Sequence, residues 1–217
     1  MADATRPTTA TDQRSRAFWL KHLHQWHWVS AAACLVGLLL FSITGFTLNH
    51  ASAVAAKPVV TSTVERLPVE LLQELRRLAV DHSEAKTPLP ADVADWLRQH
   101  LAVHAADSPA EWSEDEIYLS LPRPGGDAWL TVDLTGGEVK HELTDRGWIS
   151  YLNDLHKGRN TGAPWSLFID VFAGSVLIFA VTGLFLLKMH ATQRPATWPM
   201  VGFGMVLPLL IAILFIH

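Results

Sequence analysis

Apolar residues gather into three long runs. From Trp26 to Leu48 the chain carries no Asp, Glu, Lys or Arg, and at about 1.5 Å of helical rise per residue that run can cross a hydrocarbon core of about 30 Å. The second run, Trp165 to Leu187, is broken only by Asp170, and the third, Trp198 to Ile216, has no charge at all. The pattern predicts three transmembrane helices. The stretch "VSAAACLVGLLLFSITGFTL" is longer than the apolar core of a signal peptide, so a retained helix is expected, although cleavage after "ASA" is the other reading.

Between the first two runs the period changes. "LPVELLQELRRLAVDH" places Leu71, Leu72, Leu75, Leu78 and Ala79 on a helical stripe, with Pro68 in the first turn. "LPADVADWLRQHLAVH" predicts a second helix with Val93, Trp96, Leu97 and Leu101 on one side. "EIYLSL" and "DAWLTVDL" alternate in the manner of strands around the turn "PRPGGD", and "TGGEV" adds a turn and a short strand. The expected fold is an α-helical integral membrane protein with three transmembrane helices and a small α+β domain between helices 1 and 2. The expected boundaries are a disordered tail at 1–20, helix 1 at 21–49, a linker at 50–64 and the α+β domain at 65–147. A juxtamembrane segment follows at 148–163, then helix 2 at 164–188, a loop at 189–196 and helix 3 at 197–217.

Charge orients this scheme. Arg6, Arg14, Arg16 and Lys21 precede the first run, and Lys188 and Arg194 join the second to the third with no acidic residue. The positive-inside rule assigns both segments to the cytoplasm and the central domain to the far side, with the C-terminus also outside. Residues 51–163 hold 11 Lys and Arg against 18 Asp and Glu, a net charge of −7. That balance argues against nucleic acid as a partner. One cysteine, Cys34, lies within the first run, so the central domain has no disulfide to rely on. The domain also lacks a phosphate-cradling glycine loop, a nucleophile elbow and a zinc-type Cys/His cluster; "PGGD" and "TGG" are turn chemistry.

The candidate chemistry is imidazole. His22, His24 and His27 sit at the inner end of the first run, in and beside "LHQWHW", and His50 at its outer end. His156 precedes the second run and His190 closes it. "FSITGFTLNH" and "FAVTGLFLLKMH" share Phe-x-x-Thr-Gly with a histidine beyond, and Gly45 and Gly183 admit a close neighbour. Gly45 lies five turns from His27 on the same face, and Gly183 and Phe179 share a face with His190. Histidines at both edges of two antiparallel spans suit axial ligation of haem. Interfacial histidine beside tryptophan also occurs without any ligand role. At 100° per residue His27 and His50 point about 140° apart, and His24 points closer to the direction of His50, so the inner ligand is either His27 or His24. "WISYLNDLHKG" predicts a short amphipathic helix ended by Gly158, with Trp148 and Tyr151 at the interface and His156 turned toward His50. Asn49, Asp154 or Asp170 are candidates to accept the His156 N–H. Lys157 and Arg159 outside, and Lys21, Lys188 and Arg194 inside, are candidates for the haem propionates. His100 and His104, spaced i, i+4 in the central domain, read as surface histidines on one helix face.

"WLTVDLTGGEV", then "WISYLNDLHKGRNTGAPW" and a "TG"-containing span, resembles the PepSY-associated transmembrane family, and "LHQWHWVSAAACLVGLLLFSITGF" is similar to that family's first helix. The resemblance extends from about Lys21 to His190. It implies a bacterial inner-membrane protein with a periplasmic PepSY-like domain between its first two spans. Some larger relatives look like haem-containing reductases linked to ferric siderophore uptake, with haem histidines at helix ends. Carried over, His27 and His190 match the inner positions and His50 and His156 the outer ones, for one or two b-type haems. This chain departs from those relatives in having three spans rather than four or more, and in lacking an appended flavin and nicotinamide domain. Electrons would then come from quinol or a separate redox protein, and the activity would be that of a metalloreductase-like oxidoreductase. PepSY domains in other settings restrain peptidases, which gives the rival expectation of a non-catalytic module that binds a periplasmic protein. The lipid bilayer and a second copy of the chain complete the expected partners.

Overall fold

In the computed structural model, which describes residues 10–51, 53, 57–82, 86–191 and 194–216, the chain opens with one long helix, α1 (Ala10–Asn49). It starts eleven residues before the expected start at Lys21. Residues 10–20, expected in a disordered tail, are therefore helical; extending an existing helix avoids the cost of a new nucleus. Residues 1–9 lie outside the described ones. Two further apolar helices follow late in the chain, α5 (Ala163–His190) and α6 (Thr197–Phe215). All three are long and apolar enough to cross a membrane. Pro164 stands in the first turn of α5, where its missing N–H costs nothing, whereas Pro208 lies inside α6.

Between α1 and α5 in the sequence come β1 (Val59–Arg66), α2 (Val69–His82), β2 (Lys86–Thr87), α3 (Ala91–Leu101), β3 (Ala110–Trp112), β4 (Glu116–Ser120), β5 (Gly126–Asp133), β6 (Glu138–Asp145) and α4 (Trp148–Lys157). The strands form one antiparallel sheet in the order β1-β6-β5-β4-β3-β2. Six strands stand where three were expected. β1 begins in the expected linker and ends two residues beyond it, and β2 and β3 are too short to carry a period.

The chain divides into two compact units. The sheet unit, Phe41–Ser166, is built on alternation. β4 buries Ile117 and Leu119, β5 buries Ala128, Leu130 and Val132, and register sets Ile117 opposite Val132 and Leu119 opposite Leu130. The expected stripes of α2 and α3 face the same core through Leu72, Leu75, Ala79, Val93 and Leu97, with Leu71, Leu78, Trp96 and Leu101 partly buried at its rim. Each large aliphatic side chain in that core contributes about 1.5–3 kcal/mol. Arg76 on α2 donates to the carbonyls of Leu134 and Thr135, fastening the helix to the β5–β6 turn. In that turn Asp133 accepts the hydroxyl and amide of Thr135 and the amide of Gly136, which holds its carboxyl below the usual range.

The helix unit comprises the chain up to Leu40 and from Leu167 onward. α1 and α5 run antiparallel in it: His27 meets Gly183, and Gly37 meets Phe172, where a Cβ would collide with the ring. Ser30 and Cys34 are buried on α1 and Thr182 on α5. His27, Ser30, Cys34 and Gly37 recur at three- and four-residue steps, so α1 presents a narrow stripe of mostly small residues, the pattern by which membrane helices approach closely.

Candidate functional site

Each Phe-x-x-Thr-Gly segment receives a histidine. In the helix unit the receiver is Phe179–Gly183 on α5. The His27 ring stacks on Phe179 at 4.6 Å between centroids, its Nδ1 lies 3.1 Å from both the Phe179 carbonyl and Thr182 Oγ1, and a Cβ at Gly183 would stand 3.2 Å from its Cε1. In the sheet unit the receiver is Phe41–Gly45 on α1. The His156 ring lies over Phe41 at 4.7 Å, its Nδ1 is 2.6 Å from Thr44 Oγ1, and a Cβ at Gly45 would stand 3.6 Å from its Cε1. The same three residue types thus do the same three jobs twice: a ring to stack on, a hydroxyl to bond and a missing side chain to make room.

The hydrogen bonds dictate the tautomer of the neutral His27 ring. A carbonyl only accepts, so Nδ1 of His27 donates to Phe179. Thr182 Oγ1 already donates to the carbonyls of Ile178 and Phe179. Thr44 Oγ1 lies 3.2 Å from the Phe41 carbonyl and 2.6 Å from His156 Nδ1, and its one proton serves either of them. The neutral His27 ring therefore carries its proton on Nδ1 and its lone pair on Nε2, and neither Nε2 of His27 nor that of His156 has a partner among the described residues. That is the state in which a histidine ligates a metal while its other nitrogen is held by an outer partner.

The other histidines are placed differently. His22, His24, His50 and His190 each bond Nδ1 to the carbonyl four residues earlier on their own helix, at 2.8–3.0 Å. His100 does the same on α3, so this bond alone does not mark a ligand. His24 and His190 approach edge to face at 5.9 Å, and His190 lines the same groove as His27. That groove, about 540 Å³, is otherwise walled by Phe179, Ala180, Gly183, Leu184, Leu186 and Leu187. His50 stacks on its neighbour Phe46, and among the described residues it makes no contact with His156. His100 and His104 do not share a helix face, because α3 ends at Leu101 with Ala102 in the left-handed region.

Three outer-partner candidates for His156 also find other places. Asp154 is buried and accepts the Gly125 amide at 2.9 Å. Asn49 ends α1, and Asp170 is exposed without a polar partner among the described residues. Thr44 takes the role instead, and next to it Thr47 donates to the buried Asn153 at 2.8 Å. Gly158 ends α4 in the left-handed conformation, its amide turned back to Leu155 and Asp154, and so sets His156 in the last turn. Lys157 and Arg159 are exposed and make no ion pair among the described residues. His82's side chain and His217 lie outside the described residues. Ser30, Cys34 and Gly37 were not among the expected site residues. Their spacing was the available signal, and small residues at such steps inside an apolar run read equally as helix filler.

Three apolar helices and a separate antiparallel sheet unit mark a membrane protein with a folded domain outside its apolar helices. The chain belongs to the PepSY_TM-like family, which it matches over residues 18–217. No curated protein and no solved structure matches it.

Proposed function

We propose that this is a bacterial inner-membrane protein that binds b-type haem and passes electrons across the bilayer to a periplasmic acceptor, with ferric iron a suitable one. The observation that carries the reading is the groove shared by His27 and His190. Its wall is apolar apart from two imidazoles, and hydrogen bonding leaves the Nε2 lone pair of His27 without a partner. These residues fit the group: an apolar wall suits the macrocycle, and a neutral imidazole held at Nδ1 suits its iron. The lining contains no cation, so the propionates would reach beyond it. Bound haem would supply a one-electron couple. The chain's part is to orient His27 through Phe179 and Thr182, to hold His190 on the same wall and to keep water from the ring faces. The cations in the first turns of α1 and at the end of α5, with Arg194 beyond it, support an N-terminus in the cytoplasm and a periplasmic sheet domain.

The test is the reduced-minus-oxidised spectrum of the full chain purified from haem-replete cells. A low-spin haem signal is expected, lost in His27→Ala while the protein stays in the membrane. Loss in His24→Ala but not in His27→Ala would move the ligand one turn along α1. A colourless chain from haem-replete cells overturns the reading.

A second reading, a membrane-anchored module that binds or restrains a periplasmic protein, is favoured by β1. All eight of its residues are exposed, and among the described residues it pairs only with β6, which leaves its outer edge without a described partner strand. A colourless protein would leave this reading standing.

A further inference from the structure

We infer that α1 and α5 bind an anionic phospholipid at the end of the pair where α1 begins and α5 finishes. A cavity of about 550 Å³ opens there. Arg16 contributes to it from α1 and Lys188 from α5, so two cations from two helices converge on one space. Ser15 and Trp19 add a hydroxyl and an indole N–H. No carboxylate lines the cavity, and neither cation makes an ion pair among the described residues. The remaining wall is Leu23, Phe185 and Met189. The lining thus has two parts, one of donors and cationic residues and one, the larger by area, of apolar surface.

That division selects the occupant. A soluble phosphate would satisfy the cations and leave Leu23, Phe185 and Met189 bare. A purely apolar molecule would bury two unpaired charges. A zwitterionic lipid brings its own cation against Arg16 and Lys188. An anionic phospholipid matches both parts, and the helices stand in a bilayer that presents it at the right depth. Trp19 is more than half exposed, as an indole at the headgroup level would be. Basic pockets between membrane helices hold anionic headgroups in this way. The site shares no residue with the histidine groove: Lys188 lines the cavity and not the groove. The inference is therefore independent of whether haem binds.

The experiment reconstitutes the full chain into vesicles of equal parts phosphatidylglycerol and phosphatidylcholine, extracts it in mild detergent and counts retained lipids by native mass spectrometry. The wild type should retain phosphatidylglycerol in preference. Arg16→Gln and Lys188→Gln should each lower that retention about fivefold, and the pair roughly twenty-five-fold. Arg14→Gln with Arg194→Gln should leave it unchanged. Circular dichroism checks that the variants keep their helices; all four positions are exposed cations, so their loss leaves the helix packing intact. Unchanged retention in the Arg16/Lys188 pair overturns the inference. Equal loss in the Arg14/Arg194 pair overturns it too, since the attraction would then be diffuse. Displacement of the lipid by inorganic phosphate would make this a soluble-anion site and also sink the proposal.

Discussion

The Nδ1 of His156 is hydrogen-bonded to the hydroxyl of Thr44 at 2.6 Å, and this bond joins the short helix α4 to the final turns of α1. His27 stands to Thr182 in the same relation, with one difference that has consequences: its Nδ1 reaches the Phe179 carbonyl as well. One seat has a single partner and the other has two.

The two threonines should therefore respond unequally to the same substitution. Thr44→Val leaves His156 Nδ1 without a hydrogen-bond partner among the described residues, whereas Thr182→Val leaves His27 bonded to Phe179. Loss of a hydrogen bond costs about 0.5–1.5 kcal/mol, and an unsatisfied buried donor or acceptor about 1–3 kcal/mol. Thr44→Val should accordingly lower the thermal midpoint of the detergent-solubilised chain more than Thr182→Val, and Thr44→Ser should restore it. Equal shifts would mean that the carbonyl contact to His27 contributes nothing.

Asp154 supports a different joint. Its carboxylate accepts the amide of Gly125, a glycine at φ +73° whose Cβ position is filled by Tyr151 of α4. Asp154→Ala strands that amide and should cost about 1–3 kcal/mol. Asp154→Asn keeps an acceptor and should recover most of the loss. Chemical denaturation of the full chain followed through tryptophan fluorescence would read both, and equal damage from the two variants would show that charge rather than acceptance is needed.

Much of this architecture was legible in the residues. The three apolar runs, the stripes through Leu75 and Leu97 and the alternation about Leu119 and Leu130 all have periods that a single chain displays. β1 was not legible, because "VVTSTVER" buries neither face and is a strand only through its pairing with β6. The partner of His156 was not legible either. Helix-face arithmetic gives the direction of a side chain but not the level at which α4 meets α1, and that level brings His156 to Thr44 and Gly45 rather than to His50. The repeated Thr-Gly pair was visible as a place for close approach; that the approaching group is an imidazole emerges only when the elements are packed.

Topology offers a coarser check. Arg14, Arg16 and Lys21 lie in the first turns of α1, and Lys188 and Arg194 at and beyond the end of α5, so fusions of a periplasm-active reporter should be active after Ala105 and inactive after Arg194. Activity after Arg194 with silence after Ala105 would invert the orientation and move the sheet domain to the cytoplasm.

His141 supplies a pH dependence. It sits on β6 opposite Thr63 of β1 and Leu130 of β5, and burial lowers its pKa below the ordinary 6.5. Above that value the ring is neutral in both folded and unfolded chains, and it contributes no pH dependence. As the pH falls through 6.5 the unfolded chain takes up a proton that the folded chain refuses, so the unfolded state binds more protons and stability drops. The loss is complete once the pH lies below the folded pKa. His141→Gln removes the titration and keeps a polar side chain of similar size. Thermal midpoints of the full chain measured from about pH 8 to about pH 5 should converge, with the wild type losing stability faster than the variant as acid is added. The constant offset at high pH reports only the packing change and is not the diagnostic quantity. Parallel curves over the whole range would mean that His141 titrates alike in the two states and that its strand position does not shield it from water.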